Sequence, residues 1–495
     1  MERCSGILLH PTSLPGKYGI GTLGKEAFNF IDFLVRSKQK IWQILPLGPT
    51  GYADSPYQCF SSNAGNPLLI DLEKLVEEGY LGKHDLDTLD IFGEGPVDYG
   101  RLIELKYPIL QKAAGTFFNK ASAEQRKVYN AFLKFNASWL NDYALFMALK
   151  AHFDMEPWYK WSTPLKKKNI HSLTNYIATL SDQIDFQKFI QYVFFKQWML
   201  VKDYANKNKI RIMGDIPLYV ALDSVDAWGL PEIFQFDNNK NPVAVGGVPP
   251  DYFSSTGQLW GNPLFNWDVL KRDGYRWWIN RIKSNLVLYD IIRIDHFRGF
   301  AGYWAVPYGE TTAINGKWIL GPGKDLFETI KRELGTLPIV AEDLGVITED
   351  VEDLRDSYDL PGMKILQFAF DSKEANDYLP HNFTKNCVVY TGTHDNDTVN
   401  GWIKNANEED RKYLKDYLNS TGKDLCWDLI RLAMSSVADT AIFPLQDLLS
   451  LGNEARMNLP GTTVNNWMWR SKYKDFSEEL AKKLEHLTKL YGRHN

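Results

Sequence analysis

The chain lacks most of what marks a secreted scaffold, a membrane protein or a polyanion binder. Its 495 residues hold four cysteines, Cys4, Cys59, Cys387 and Cys426, at spacings that suit neither a disulfide framework nor a zinc site. They read as small core residues in a reducing compartment. No apolar run approaches the roughly 18 residues of a membrane span, and the one nearest the first residue is too short for a signal peptide, so a soluble, cytoplasmic protein is expected. A surplus of one charge is missing too. Lys and Arg number 56 against 61 Asp and Glu, a net charge of −5, and the only dense basic run is Lys166-Lys167-Lys168, so neither nucleic acid nor a membrane is expected as partner. Phosphate-binding signatures are absent. No GxxxxGK[ST] or GxGxxG pattern occurs, and Gly246-Gly247-Val248-Pro249-Pro250 leads into no helix start that would present backbone amides.

Aromatic residues, by contrast, are plentiful: 16 Trp, 25 Tyr and 27 Phe make 14% of the chain. Short apolar runs ending in polar, Gly or Pro residues also recur, the appearance of strands buried on both faces. There are eight: Gly6–His10, Lys40–Leu47, Arg211–Pro217, Leu288–Phe297, Leu337–Leu344, Gly362–Phe370, Cys387–Asp395 and Thr440–Asp447. Most follow a segment with helical periodicity, among them Glu26–Ser37, Gln187–Lys207, Tyr275–Leu286, Gly323–Leu334 and Glu408–Ser420. This alternation predicts an α/β fold of the (β/α)8 TIM-barrel kind. Such a barrel needs about 250 residues, so much of the chain must be insertion. A mostly helical insertion is expected over residues 66–205, after strand two. An aromatic-rich segment with little periodicity, residues 221–267, follows strand three, where a long loop would cover the active-site face.

In a barrel the chemistry comes from the C-terminal strand ends. Those positions are acidic here: Asp215, Asp295, Glu342 with Asp343, Asp395 and Asp447. One such acid is commonly a helix cap, but a series converging on one mouth suggests divalent-metal chemistry, proton abstraction or glycosyl transfer by paired carboxylates. Metal sites usually recruit histidine as well, and His10, His296 and His394 are the candidates. Strand alternation places Arg293 and Asp295 on one face. The guanidinium would hold the carboxylate ionised, as a nucleophile requires, unless the two are only a structural ion pair. Glu342 ends the apolar run Ile339-Val340-Ala341, where desolvation would keep it protonated as a general acid. Two carboxyl groups under opposed pressures are what a glycosidase pair needs.

Several segments together resemble the amylomaltases, or 4-α-glucanotransferases, of glycoside hydrolase family 77, relatives of the α-amylases. They are HPTSLPG at His10 to Gly16, LPLGPTGYADSPYQ at Leu45 to Gln58, GDIPLYV at Gly214 to Val220 and GVPPDYFSSTGQLWGNP at Gly247 to Pro263. RIDHFRGF at Arg293 to Phe300, AEDLG at Ala341 to Gly345, GTHDNDT at Gly392 to Thr398, PLQDLL at Pro444 to Leu449 and EARMNLPGT at Glu454 to Thr462 complete the set. The resemblance implies retaining transfer between α-1,4-glucans or maltooligosaccharides, with glucose able to act as acceptor, and with no cofactor or metal. Asp295 would be the nucleophile, Glu342 the acid/base and Asp395 the third acid. Arg293, His394, Asp215 and His296 would bind the glucose at the cleavage point, with Tyr57 of the Ser55-Pro56-Tyr57-Gln58 segment as its platform. Asp251 and Trp260 would belong to a lid on the acceptor side, and Tyr52 and Tyr99 to a remote glucan site. The resemblance also implies that no C-terminal β-sandwich is present. A hydrolase of α-amylase type and a non-catalytic glucan-binding protein are the alternatives.

Overall fold

The computed structural model describes residues 2–250, 254–371 and 376–494. Among these, twelve strands occur: β1 (Cys4–Leu8), β2 (Ile41–Gln43), β3 (Arg211–Ile216), β4 (Ala244–Val248), β5 (Gln258–Pro263), β6 (Ile291–Ile294), β7 (Gly302–Pro307), β8 (Lys317–Leu320), β9 (Ile339–Ala341), β10 (Gly362–Ile365), β11 (Cys387–Tyr390) and β12 (Thr440–Pro444). Eight of them pair in parallel in the order β10-β11-β12-β1-β2-β3-β6-β9. Seven of them lie within one of the apolar runs, and β1 overlaps the first run, Gly6–His10, beginning two residues before it.

The reason those runs are continuous rather than alternating is visible in the packing. Successive residues of a strand enter two different hydrophobic clusters. Leu8, Ile41, Met213, Ile291, Val340 and Ile442 pack together inside the barrel, whereas Ile7, Trp42, Ile212, Ile292, Ile339 and Phe443 pack outward against the helical layer. Neither face meets water, so apolar residues predominate on both.

The seam between β9 and β10 is closed by single contacts. Ala341 N–H donates to Pro361 O at 2.9 Å, and Asp343 accepts from Met363 N–H at 2.7 Å through Oδ1 and from Arg355 at 2.5 Å through Oδ2. Asp343 therefore clamps the barrel shut rather than facing its mouth. At the opposite end Arg493, fully buried, donates to the carbonyls of Met434, Cys4, Asp439, Ala433, Ser436 and Ala438. It ties the end of helix Leu425–Ser435 to the first and last barrel strands.

Between β2 and β3 the chain forms helices Leu72–Glu77, Tyr99–Lys120, Ala123–Phe135, Ala137–His152, Thr163–Lys166, Ile170–Thr179 and Ser181–Lys207. The last returns to the barrel, where Trp198 Nε1–H donates to Leu288 O. The segment after β3 departs from expectation. Instead of an aperiodic loop it contributes β4 and β5 to an antiparallel sheet of order β5-β4-β7-β8, completed by the chain after β6. Glycine hides these strands from a hydropathy pattern. A Cβ on Gly247 would lie 2.5 Å from Gln258 O, and one on Gly246 would lie 2.9 Å from the Tyr219 ring, so close approach excludes side chains at both positions. No strand follows β12 among the described residues, and helix Glu478–Leu490 occupies that region. No helix among them is long and apolar enough to cross a membrane.

Candidate active site

The barrel ladder continues one step past its strands at the mouth. Asp295 N–H donates to Ile216 O, Glu342 N–H to Ile294 O and Phe297 N–H to Glu342 O, each at 3.0 Å. Backbone bonds thus fix the two carboxylates on neighbouring strand ends. Beneath them Asp215 and Arg293 sit side by side across β3 and β6. Arg293 Nη1 donates to Asp215 Oδ2 at 2.5 Å and to Asp295 Oδ1 at 3.1 Å, and Tyr57 OH donates to Asp215 Oδ2 at 2.8 Å.

Burial and charge set the proton affinities here. Burial pushes Asp215 up to about 7 against the opposing effect of Arg293. Burial alone would lower Arg293, but Asp215 and Asp295 hold it well above the ordinary arginine value, so it stays charged. For Asp295 the expectation was a depressed pKa. Arg293 does act in that direction, but burial is the larger influence and Asp395 adds to it, so the Asp295 carboxyl lies above its ordinary value of 3.8. Glu342 is pushed well above 4.5, first by burial and then by the Asp295 charge, with Arg293 and the His296 N–H opposing. The two carboxyl groups therefore differ in the sense expected, although neither is depressed.

The remaining sequence-selected residues mostly gather around this pair. His296 takes a left-handed conformation, φ 50°, and this turns its N–H onto Glu342 Oε2. Such a conformation costs a non-glycine residue about 1–3 kcal/mol and persists only where its surroundings impose it. Burial lowers the His296 pKa to about 4, so the ring is neutral. Trp260, from β5, meets that ring edge-on at 4.7 Å. Tyr57 stacks on His394 at 5.2 Å and 13°, and Ser55 Oγ accepts from Tyr57 N–H at 3.2 Å, fixing the backbone that carries this ring. His394 Nε2 lies 3.4 Å from Asp395 Oδ1.

Three of the expectations fare differently. Asp251 lies outside the described residues. Tyr52 is exposed at 74%, but Tyr99 is only 5% exposed and donates its hydroxyl to Trp467 O at 2.9 Å. A buried ring offers no face to a sugar, so the structure does not bring Tyr52 and Tyr99 together as a glucan platform. Asp447, counted among the strand-end acids, is spent on the scaffold, accepting from Thr391 OH at 2.6 Å and Val399 N–H at 2.8 Å. Among the described residues no cluster of His, Cys, Asp and Glu could hold a metal ion.

Three residues of the site had no role assigned from the sequence. Asn458 Nδ2–H donates to Asp395 Oδ1 at 2.7 Å, and Arg456 donates to the Asp395 carbonyl at 2.7 Å and, through Nε, to the Asn458 carbonyl at 2.7 Å. Trp467 packs beside both Tyr57 and His394, each at 5.9 Å. The EARMNLPGT segment had pointed to this neighbourhood, but nothing in it indicated which residue reaches an acid 63 positions away.

Comparisons with known proteins identify the family. The profile of a family described as 4-alpha-glucanotransferase matches residues 9–475. The chain is 50% identical to the 4-alpha-glucanotransferase of Synechocystis sp. over 99% of its own length and 98% of that protein, and 49% identical to that of Thermus thermophilus over 98% of each. It superposes on a solved amylomaltase from Streptococcus agalactiae, in complex with acarbose, with a TM-score of 0.97, 43% identity and complete coverage of both chains. An amylomaltase from Corynebacterium glutamicum, at 18% identity, shares the fold with a TM-score of 0.82 over 100% of this chain and 75% of that one.

Proposed function

The chain belongs to the 4-alpha-glucanotransferase family, acting on α-1,4-glucans, and from that premise we propose how its own residues carry the transfer. Asp295 is the nucleophile. Its carboxylate attacks the anomeric carbon of the sugar at the cleavage point while Glu342 gives its proton to the leaving glycosidic oxygen. The product is a covalent glycosyl-enzyme and a shortened glucan. Glu342, now ionised, takes the proton from the 4-hydroxyl of an incoming glucan or glucose. That oxygen displaces Asp295, and both carboxyl groups return to their starting states. One glycosidic bond replaces another, so the step needs no cofactor.

The observation that carries this reading is the continuous chain Tyr57–Asp215–Arg293–Asp295 beside a Glu342 held more strongly protonated than Asp295. Arg293 keeps part of the Asp295 charge satisfied, and the neutral His296 and His394 rings suit sugar hydroxyls. Asp395, oriented by Asn458, grips hydroxyls of the same sugar and helps distort it. Trp260 is assigned to the acceptor side, where its ring excludes water from the intermediate and favours a sugar over water as acceptor. The four cysteines, all free, suit a cytoplasmic site of action.

Incubation with maltotriose tests the reading against an amylase-type hydrolase. Glucose together with maltooligosaccharides longer than the substrate is expected; maltose and glucose alone would assign hydrolysis instead. Asp295→Asn should abolish both while leaving glucan binding largely intact, and transfer surviving that change would remove Asp295 as nucleophile.

A further inference from the structure

His10 has no part in the reading above, yet it lies buried close behind His394. Its Nδ1 accepts from Leu45 N–H at 3.2 Å, so that nitrogen carries the lone pair. Burial, with His394 nearby, pushes the His10 pKa down to about 3. The ring is therefore neutral and its one proton sits on Nε2.

His394 presents the complementary situation. It is also buried and neutral, burial being the main influence. Its Nε2 faces Asp395 Oδ1 at 3.4 Å, an acceptor, whereas its Nδ1 is buried and meets no protein partner among the described residues. A buried ring nitrogen without a partner is costly, and native structures usually place a water there. A cavity of about 30 Å³ lies at this point. Both histidines line it, together with Asn396, Gln446 and Arg456. At roughly 10–15 Å³ per water it holds about two, with enough polar lining to bind them.

We infer that His10 is a positioning residue for His394: a water in this cavity accepts from His10 Nε2–H and donates to His394 Nδ1, which leaves the His394 proton on Nε2. The nitrogen that faces Asp395 is then a donor. In the other tautomer a lone pair would face the carboxylate at 3.4 Å. The tautomer of a histidine follows from the bond its other nitrogen makes, and here that bond originates in a residue that touches no substrate. The consequence for catalysis rests on the proposal that His394 binds the sugar.

Two variants separate the donor from the fold. In His10→Asn the side-chain oxygen still accepts from Leu45 N–H, but nothing replaces Nε2–H. In His10→Gln an amide N–H stands near the Nε2 position. We expect kcat/KM for maltotriose disproportionation to fall about tenfold in the first and to stay within about twofold in the second, by analogy with the loss of other histidine-orienting partners. Long-range 1H–15N correlation on histidine-labelled enzyme, assigned with His394→Gln, should show His394 protonated on Nε2 in the wild type and as a tautomer mixture in His10→Asn. A wild-type His394 protonated on Nδ1 would overturn the inference, as would equal activities in the two variants. The tautomer is read on the protein alone, independently of the sugar-binding role, which would fail separately if His394→Ala transferred at the wild-type rate.

Discussion

Replacing Asn458 by alanine removes one bond at the site, the 2.7 Å donation from Asn458 Nδ2–H to Asp395 Oδ1, and spares the main-chain bond from Asn458 N–H to His394 O at 3.1 Å. A hydrogen bond to a charged acceptor is worth about 1.5–3 kcal/mol. If Asp395 must point at the sugar in the transition state, nearly all of that should appear in kcat/KM, a loss of roughly 10- to 150-fold at about 1.4 kcal/mol per decade. Stability should barely respond. The Asp395 side chain is 44% exposed, so water replaces the lost donor in the free enzyme, and Tm is expected to move by about a degree or less. Asn458→Asp makes the sharper comparison. It sets a second carboxyl against Asp395, so the pair would share a proton and the acid limb of the pH profile would move to higher pH. The assay is the initial rate of glucose release from maltotriose against pH, with thermal unfolding in parallel. A kcat/KM for Asn458→Ala within twofold of wild type would refute the view that Asp395 works only in the orientation Asn458 gives it.

The proposed mechanism requires an ionised Asp295 and a protonated Glu342, so kcat/KM should fall as pH drops through the raised Asp295 pKa and again as it rises through the higher one of Glu342. The Asp395 charge raises both; the residual activity of Asp395→Asn should therefore show both limbs at lower pH, and limbs that stay in place would contradict that electrostatic link. Trp260→Ala removes the ring that meets His296 at 4.7 Å; an aromatic contact of about 1 kcal/mol predicts a several-fold higher KM for acceptor glucose and a larger share of hydrolysis, measured as reducing-end gain per glucose released. Arg493→Met withdraws the guanidinium's donations to the carbonyls of Met434, Cys4 and Asp439; calorimetry should show Tm lowered by several degrees with kcat unchanged, since the residue lies at the far end of the barrel from the acids.

The barrel could be read from sequence because its strands are apolar on both faces. Ile7 and Leu8 enter different clusters, and a run dominated by apolar residues is what permits that. The antiparallel sheet carried no such signal: β4 is Ala-Val-Gly-Gly-Val and β8 is mostly exposed, so neither alternation nor a continuous run appears. The acids at the mouth showed themselves by chemistry and position, but position alone could not separate Asp295 from Asp447, whose oxygens are both taken by the scaffold. Asn458 stayed hidden because a loop asparagine is unremarkable until its partner is known. The misjudged direction at Asp295 has a simple cause: its neighbour Arg293 could be seen in the sequence, whereas the depth of burial could not.

The pairing of β1 with β12 sets a schedule for biosynthesis. Cys4 aligns with Thr440, 436 positions later, so at roughly 5–20 residues per second β1 waits about 20–90 s for that neighbour. Throughout that interval one edge of the strand stays open, and an open edge invites pairing with other nascent chains. The site waits longer still, because Asn458 and Trp467 follow β12. A polypeptide interrupted before them carries Asp295, Glu342 and Asp395 but lacks the residues that contact Asp395 and Tyr57, so on the proposed mechanism transfer activity arises only after position 467 has been made.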